Sequence, residues 1–359
     1  MADRAEVGVT VGSAIAVEML EPRSAPRAVL DQFHALQVAQ SAEAGPHDKP
    51  TPIEVLAATW SALPDFLEVT LFLARGDSGR AVGYAYVTHH RTGEDRQLAD
   101  MQMWAAPAHR RQGVAAALLE AVAANSEARG HALLRTTTTE GVGWGEDLCR
   151  HVGGRRAHDR RTWRLALSRV NRDEIRLTAA QAAERARGYV LEEVSGALPD
   201  AMVDDAVDLL QFLNDDTSSD IPIEDAKITV PILRDMEATW RAADLQRRWL
   251  FARHEPSGTL AGVADGVWQP RTPETIAQNN AVIRPEFRGR SLALWMKACL
   301  IDRLLDEWPD AVDIRTTTNF PDPTMDSVDE RLGFEPYIRY TVWILEVVQL
   351  RAWLDRERA

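Results

Sequence analysis

One stretch of this chain occurs twice, and that repeat limits the fold more than any other feature. Ala99–Ala115 is echoed by Ala277–Ala293, with Pro107 matching Pro285 and Arg110 matching Arg288 at an offset of 178. The echo runs on at nearly constant spacing. Ala74-Arg75 answers Ala252-Arg253 at 178, and Gly79 and Gly83 answer Gly258 and Gly262 at 179. Arg135–Thr138 answers Arg315–Thr318 at 180, as do Gly153 with Gly333 and Trp163 with Trp343. A period of this size is far beyond a solenoid unit and matches one domain. Two copies of one domain in tandem are expected, each with the same loop.

The 359 residues suit two domains of ordinary size. Apolar residues make up 45% and charged ones 26%, the usage of a water-soluble globular protein. A net charge of −13 argues against nucleic acid as a partner, because phosphate neutralisation needs clustered Lys and Arg. Cys149 and Cys299 lie in different copies and supply neither a disulfide framework nor a cysteine zinc site. The first residues lack the basic stretch of a secretory signal, and no apolar run reaches membrane-spanning length. A cytoplasmic protein is the expectation.

In copy one, Ala14–Leu20 alternates as a strand and Ala25–Gln40 has helical periodicity, followed by a polar loop, Ser41–Pro52. Val69–Arg75, Ala81–His90 and Gln97–Trp104 form a three-strand meander. A helix over Val114–Glu127 stops at Gly130, and Leu133–Thr138, Glu146–His151 and Thr162–Leu167 complete the copy. Copy two repeats the order: Val190–Val194, Ala201–Leu213, the meander of Arg248–Arg253, Leu260–Trp268 and Thr275–Ile283, the helix Leu292–Asp306, then Val312–Thr317, Met325–Leu332 and Tyr340–Val347. Asn171–Arg187 reads as a helical connector. The expected division is therefore 1–168, a connector at 169–187, and 188–359, each domain a mixed, mostly antiparallel α/β (α+β) sheet flanked by helices.

The repeated loop, Arg-x-x-Gly-x-Ala at Arg110–Ala115, sits between a strand and a helix. A helix start offers unpaired N–H groups and a partial positive charge, so it is an anion site. Gly113 permits close backbone approach, and Arg110, Arg111 and His109 add positive charge. No Gly-Lys-Ser/Thr follows, which excludes a nucleotide P-loop, and a preceding meander excludes a dinucleotide fingerprint.

With this loop at Arg110–Ala115 and Arg288–Ala293, and Leu332-Gly333-Phe334-Glu335-Pro336 near the end, the chain resembles the GNAT superfamily of acyl-CoA-dependent N-acyltransferases. It looks most like the tandem-domain, mycothiol synthase-like actinobacterial group. The resemblance implies that Arg110, Arg111, Gln112, Gly113, Val114 and Ala115 hold the CoA diphosphate, as do Arg288, Gly289, Arg290, Ser291, Leu292 and Ala293. It also implies that Met103, Trp104 and Ala105, and likewise Ala281, Val282 and Ile283, lie along pantetheine. Three departures stand out. Ser291 replaces the central Gly of the second loop, and Gly154 stands where copy two has Phe334. Cys149 and Asp329 occupy the position at which the superfamily often has a Tyr acid.

Acyl transfer to an amine needs a base and a donor for the leaving thiolate. Glu274 and Asp265 are the candidate bases in copy two, with Asp100 the analogous acid in copy one; Tyr337 and Tyr340 are the candidate donors. His89 and His90 point to opposite faces of a strand and cannot chelate together, and no metal site is expected. The segment after the first helix of copy two carries Asp215, Asp216, Asp220, Glu224 and Asp225, which would draw a cationic acceptor. The expectation is an acetyl-CoA-dependent N-acetyltransferase acting on a small amine, a monomer or homodimer, with copy two catalytic. Two alternatives stay open: transfer to the cysteinyl amine of a pseudodisaccharide, or a CoA-binding regulatory or scaffold protein without turnover.

Overall fold

The computed structural model describes residues 15–45, 48–91, 97–213, 227–279 and 281–358. They form two compact units, 15–157 with 340–358, and 158–213 with 227–339.

In unit 1, β1 (Ala16–Leu20), β2 (Leu67–Arg75), β3 (Ala81–His90) and β4 (Leu98–Ala105) pair antiparallel in sequence order. β5 (Leu133–Thr139) then joins β4 in parallel. Along β2 the side chains alternate between two cores. Leu71 and Leu73 pack with Phe33 of α1 (Arg27–Ala44) and Trp60 of α2 (Ile53–Ser61). Phe72 and Ala74 pack with Leu118 and Val122 of α3 (Val114–Arg129). Both faces are covered, so β2 reads as a continuous apolar run rather than an alternating one. α4 (Gly143–His151) follows β5.

In unit 2, β7 (Tyr189–Ser195), β8 (Gln246–His254) and β9 (Leu260–Trp268) form the meander with β10 (Thr275–Gln278) and β11 (Ala281–Ile283). β12 (Asp313–Phe320) pairs with β10 in parallel. α6 (Asp200–Leu210) and α7 (Val230–Ala242) supply one core with Trp249 and Phe251. α8 (Leu292–Glu307) supplies the other, and α9 (Pro323–Arg331) follows β12.

The closing strands are exchanged. β12 of unit 2 pairs antiparallel with Asp159–Ala166 of β6 (Arg155–Ala166), which ends copy one in sequence. β5 of unit 1 pairs with Tyr340–Glu346 of β13 (Glu335–Glu346), which ends copy two. The expected linear division at 168 and 188 therefore departs from the compact units, because each copy's last strand completes the other unit. The expected connector is no linker either. Its helix, α5 (Arg172–Arg185), buries Ile175 and Ala182 in the core that holds α8, and Arg172 bonds Asp302 and Asp306. The chain's last helix, α10 (Val347–Arg358), takes the corresponding place against α3 in unit 1 through Leu350, Trp353 and Leu354, with Arg351 bonded to Glu127.

His89 and His90 do face opposite ways. His90 meets Asp100, while buried His89 accepts or donates at Thr70 Oγ1 and stacks on His131 at 5.0 Å. Burial foremost, then the charges of Arg129 and His131, push the His89 imidazole from 6.5 down to about 3. The unfolded chain thus binds a proton first as pH falls. Stability from this group is intact above about pH 6.5 and is lost toward pH 3, by up to about 1.4 kcal/mol per pH unit. Urea unfolding at pH 7 and pH 5 measures the slope, and His89→Gln should flatten it.

Candidate functional site

The parallel pair of unit 1 is a fork. β4 and β5 are registered only at Leu98–Leu133, Ala99–Leu134 and Asp100–Arg135. Asp100 clasps the last rung: Arg135 Nε bonds its carboxylate at 2.6 Å and His90 Nε2 lies 3.3 Å from it. Burial pushes the Asp100 carboxyl up, but the hydrogen bonds from His90 and Arg135 outweigh it and hold the group below the ordinary range. Beyond this rung β4 keeps its partner β3 on one side as far as Ala105, while its other edge leaves β5. That edge has no strand partner beyond Asp100 among the described residues.

A cavity of about 200 Å³ fills the fork. Met101–Trp104 and Thr136–Thr139 form its arms, Leu119, Leu148 and Cys149 its apolar floor, and Gln40 and Glu43 of α1 a polar wall. Tyr340 and Leu345, on the exchanged strand, close it. Its titratable lining groups are Glu43, Cys149 and Tyr340. Cys149 is pushed up to about 12, by burial first and then by Glu146, so it is a thiol and no nucleophile. Gly154 needs no Cβ here, because one would meet Cys149 O and Leu345 Cδ2 at 2.6 Å.

β4 runs directly into the repeated loop. Gly113 caps α3 in the left-handed region at φ 85°, and Arg111 is also left-handed at φ 58°. The first bond of the helix is Ala117 N–H to Gly113 O at 2.9 Å. The N–H groups before it are the orphan donors of a helix start, grouped for an anion. The Arg110 side chain, expected to hold the diphosphate, is bonded within the protein. Its guanidinium is spent on Glu43, at 2.8 and 2.6 Å, and on Ala105 O, at 3.0 Å. Glu43 is held below the carboxylate range by that bond. Gln112 likewise folds back onto Ala108 O.

The second loop has the same backbone with its residues transposed. Gly289 takes φ 79° where copy one has Arg111, and Ser291 takes φ 61° where copy one has Gly113. Arg288 Nε bonds Ile283 O at 3.2 Å as Arg110 bonds Ala105 O. Ser291 makes no side-chain cap bond, so it carries the left-handed penalty uncompensated. Replacing it with Gly should raise stability by about 1 kcal/mol, measurable by denaturant unfolding.

Unit 2 also forks, after Gln278–Thr316, but its arm is broken. Ala277 faces Val267 and Ala281 faces Ala264, so four steps oppose three: a one-residue bulge. Thr275–Ile283, expected as one strand, is therefore two. Where unit 1 has Leu119 and Cys149, unit 2 has Lys297 and Asp329, a fully buried ion pair with Lys297 set over the Phe334 ring. Burial lowers the lysine and raises the aspartate from their ordinary ranges.

Of the expected catalytic groups, Asp265 is excluded as a base. It is wholly buried and paired at 2.9 Å with Arg247, itself stacked on Trp240 and Trp249. Glu274 precedes β10 at the end where β10 and β12 are joined, its carbonyl accepting from Val312 and Asp313. It lies four positions before Gln278, where the fork opens, roughly 13 Å of strand, so it stands away from the fork. Tyr337 belongs to unit 2, where the Arg315 and Arg164 guanidinium groups cover its ring at 4.7 and 5.3 Å. Asp100 is the clasp described above. Asp215, Asp216, Asp220, Glu224 and Asp225 lie outside the described residues. Sequence reasoning missed Glu43, whose signal was faint: a carboxylate in a mixed-charge segment with no partner nearby in sequence.

The acetyltransferase (GNAT) family model matches residues 35–141, a stretch holding α1, the fork and the loop. Residues 35–141 thus match a GNAT acetyltransferase domain. Its fold is that of tandem GNAT proteins. A tandem GNAT protein from the clavulanic acid biosynthesis pathway superposes with a TM-score of 0.75 at 20% identity, over 93% of this chain and 98% of that one. A GCN5-related N-acetyltransferase from Sphaerobacter thermophilus gives 0.68 at 16%, over 94% and 97%. A putative acetyltransferase from Pyrococcus horikoshii gives 0.54 at 13%, over 96% and 93%. A search of curated proteins found no match to the chain. Among the described residues, no helix is long and apolar enough to cross a membrane.

Proposed function

We propose that this protein is an acetyl-CoA-dependent N-acetyltransferase acting on a small amine, and that transfer takes place in the fork of unit 1. The observation that carries this reading is the continuity of three parts: the open edge of β4, the cavity beside it, and the anion loop at its end. Their spacing suits a ligand with an extended arm and a diphosphate. Acetyl-CoA would supply an activated thioester there. Met101–Ala105 would pair with the arm through backbone groups, and the N–H groups from Arg111 to Ala116 would hold the diphosphate. The apolar floor would exclude water from the reacting end.

Tyr340 lies on the cleft, where Glu43 bonds Arg110 and burial holds Cys149 as a thiol. Its phenol is suited to give a proton to the departing thiolate. We place turnover in unit 1 rather than in copy two because a charged pair, Lys297–Asp329, occupies the corresponding floor of unit 2. A panel of primary amines with thiol release as readout tests the reading: acetyl-CoA binding without turnover on any amine would favour a regulatory protein. Tyr340→Phe should lower kcat about 100-fold and leave the KM of acetyl-CoA unchanged. A KM change without a kcat change would remove Tyr340 from the chemistry.

A further inference from the structure

Trp144 stands at the start of α4 and lines the unit 1 cavity. It is gripped from one side. The Arg110 guanidinium lies 4.6 Å from its ring centroid. Arg110 is fixed in turn by the two Glu43 oxygens and by Ala105 O. Trp104 Nε1 donates to Glu43 at 2.9 Å and so finds its acceptor. The indole N–H of Trp144 does not: it is buried and has no hydrogen-bond partner among the described residues. A buried donor left without an acceptor costs about 1–3 kcal/mol, so a molecule carrying this one gains when a ligand supplies the acceptor.

The repeat adds a second argument. Copy two keeps Arg288 where copy one has Arg110, but has Val282 for Trp104 and Thr324 for Trp144. The stack of Arg110 on Trp144 therefore belongs to copy one, on the cleft.

We propose that the Trp144 indole N–H is a specificity-determining donor of the unit 1 cleft. It takes an oxygen acceptor of a bound substrate, and Arg110 and Glu43 are positioning residues that hold its ring. The proposal rests on the reading of this cleft as the acyl-transfer site. The oxygen comes either from a carbonyl of acetyl-CoA or from the amine substrate.

Trp144→Phe keeps an aromatic face under Arg110 and removes the N–H alone. Calorimetry with acetyl-CoA should show affinity about five- to tenfold weaker if the oxygen is the cofactor's. If it is the acceptor's, the KM of the amine found in the panel should rise by the same factor, with kcat within about twofold. Either shift supports the proposal. Wild-type protein that binds acetyl-CoA normally while Trp144→Phe changes neither quantity overturns it. If no amine turns over, the calorimetric arm decides alone. Wild-type protein that fails to bind acetyl-CoA overturns the functional reading itself, which is a separate result. Glu43→Gln reports on the positioning role. It should cost part of the same affinity in the wild-type background and almost none beside Trp144→Phe, because the two changes act through one hydrogen bond.

Discussion

A chain ended at Arg339 should lose unit 1. The deletion removes the strand that pairs with β5 from Tyr340–Thr139 to Glu346–Leu133, together with the closing side of the cavity. It also removes Leu345, Val347, Leu350, Trp353 and Leu354 from the core around α3. Five buried apolar side chains at about 1.5–3 kcal/mol each contribute roughly 10 kcal/mol, comparable with the whole stability of a domain. β5 would be left as a bare edge beside exposed apolar surface, so aggregation is expected as well. Near-UV circular dichroism and acetyl-CoA calorimetry on the truncated chain check this, and a peptide of residues 335–359 added in trans should restore part of both signals. Full acetyl-CoA affinity in the truncated chain would mean that the exchanged strand is dispensable. An N-terminal half ended at residue 168 lacks the same strand and should fail in the same way.

Gly113→Val should weaken acetyl-CoA binding in unit 1 by about one to two orders of magnitude, and lower the activity at limiting acetyl-CoA accordingly. Valine at φ 85° is strained by its branched side chain, and relief of that strain turns the peptide groups of the cradle away from the anion. Misalignment costing 2–3 kcal/mol weakens binding about 30- to 150-fold. Ser291→Val in the second loop should leave the activity in place. A melting curve for each variant separates lost binding from lost fold. The opposite pattern, activity surviving Gly113→Val and vanishing with Ser291→Val, would move the reaction to unit 2.

Much of each unit is legible in the sequence. The helix after the loop runs from Val114 to Arg129 with Gly130 left-handed behind it, as periodicity and the glycine stop imply. The resemblance located the loop, and the helix start explains it. The interruption between Gln278 and Ala281 escaped notice because a bulge changes register without changing composition. The helices Ile53–Ser61 and Val230–Ala242 also escaped. Each begins beside a proline next to a polar stretch, and each acquires its apolar face only when packed on a sheet.

The sequence by itself determined that there are two copies of one domain, with the same loop between strand and helix in each. Those are local properties: spacing, periodicity and turn chemistry act over a few residues and repeat wherever the residues repeat. Only the tertiary structure decided which strand completes which unit, that Arg110 pairs with Glu43, and that Asp265 is a core ion pair. Each of these joins residues far apart in the chain. The partner of a strand edge or a buried charge is chosen by packing and by the cost of leaving a polar group unpaired, and neither acts along the sequence.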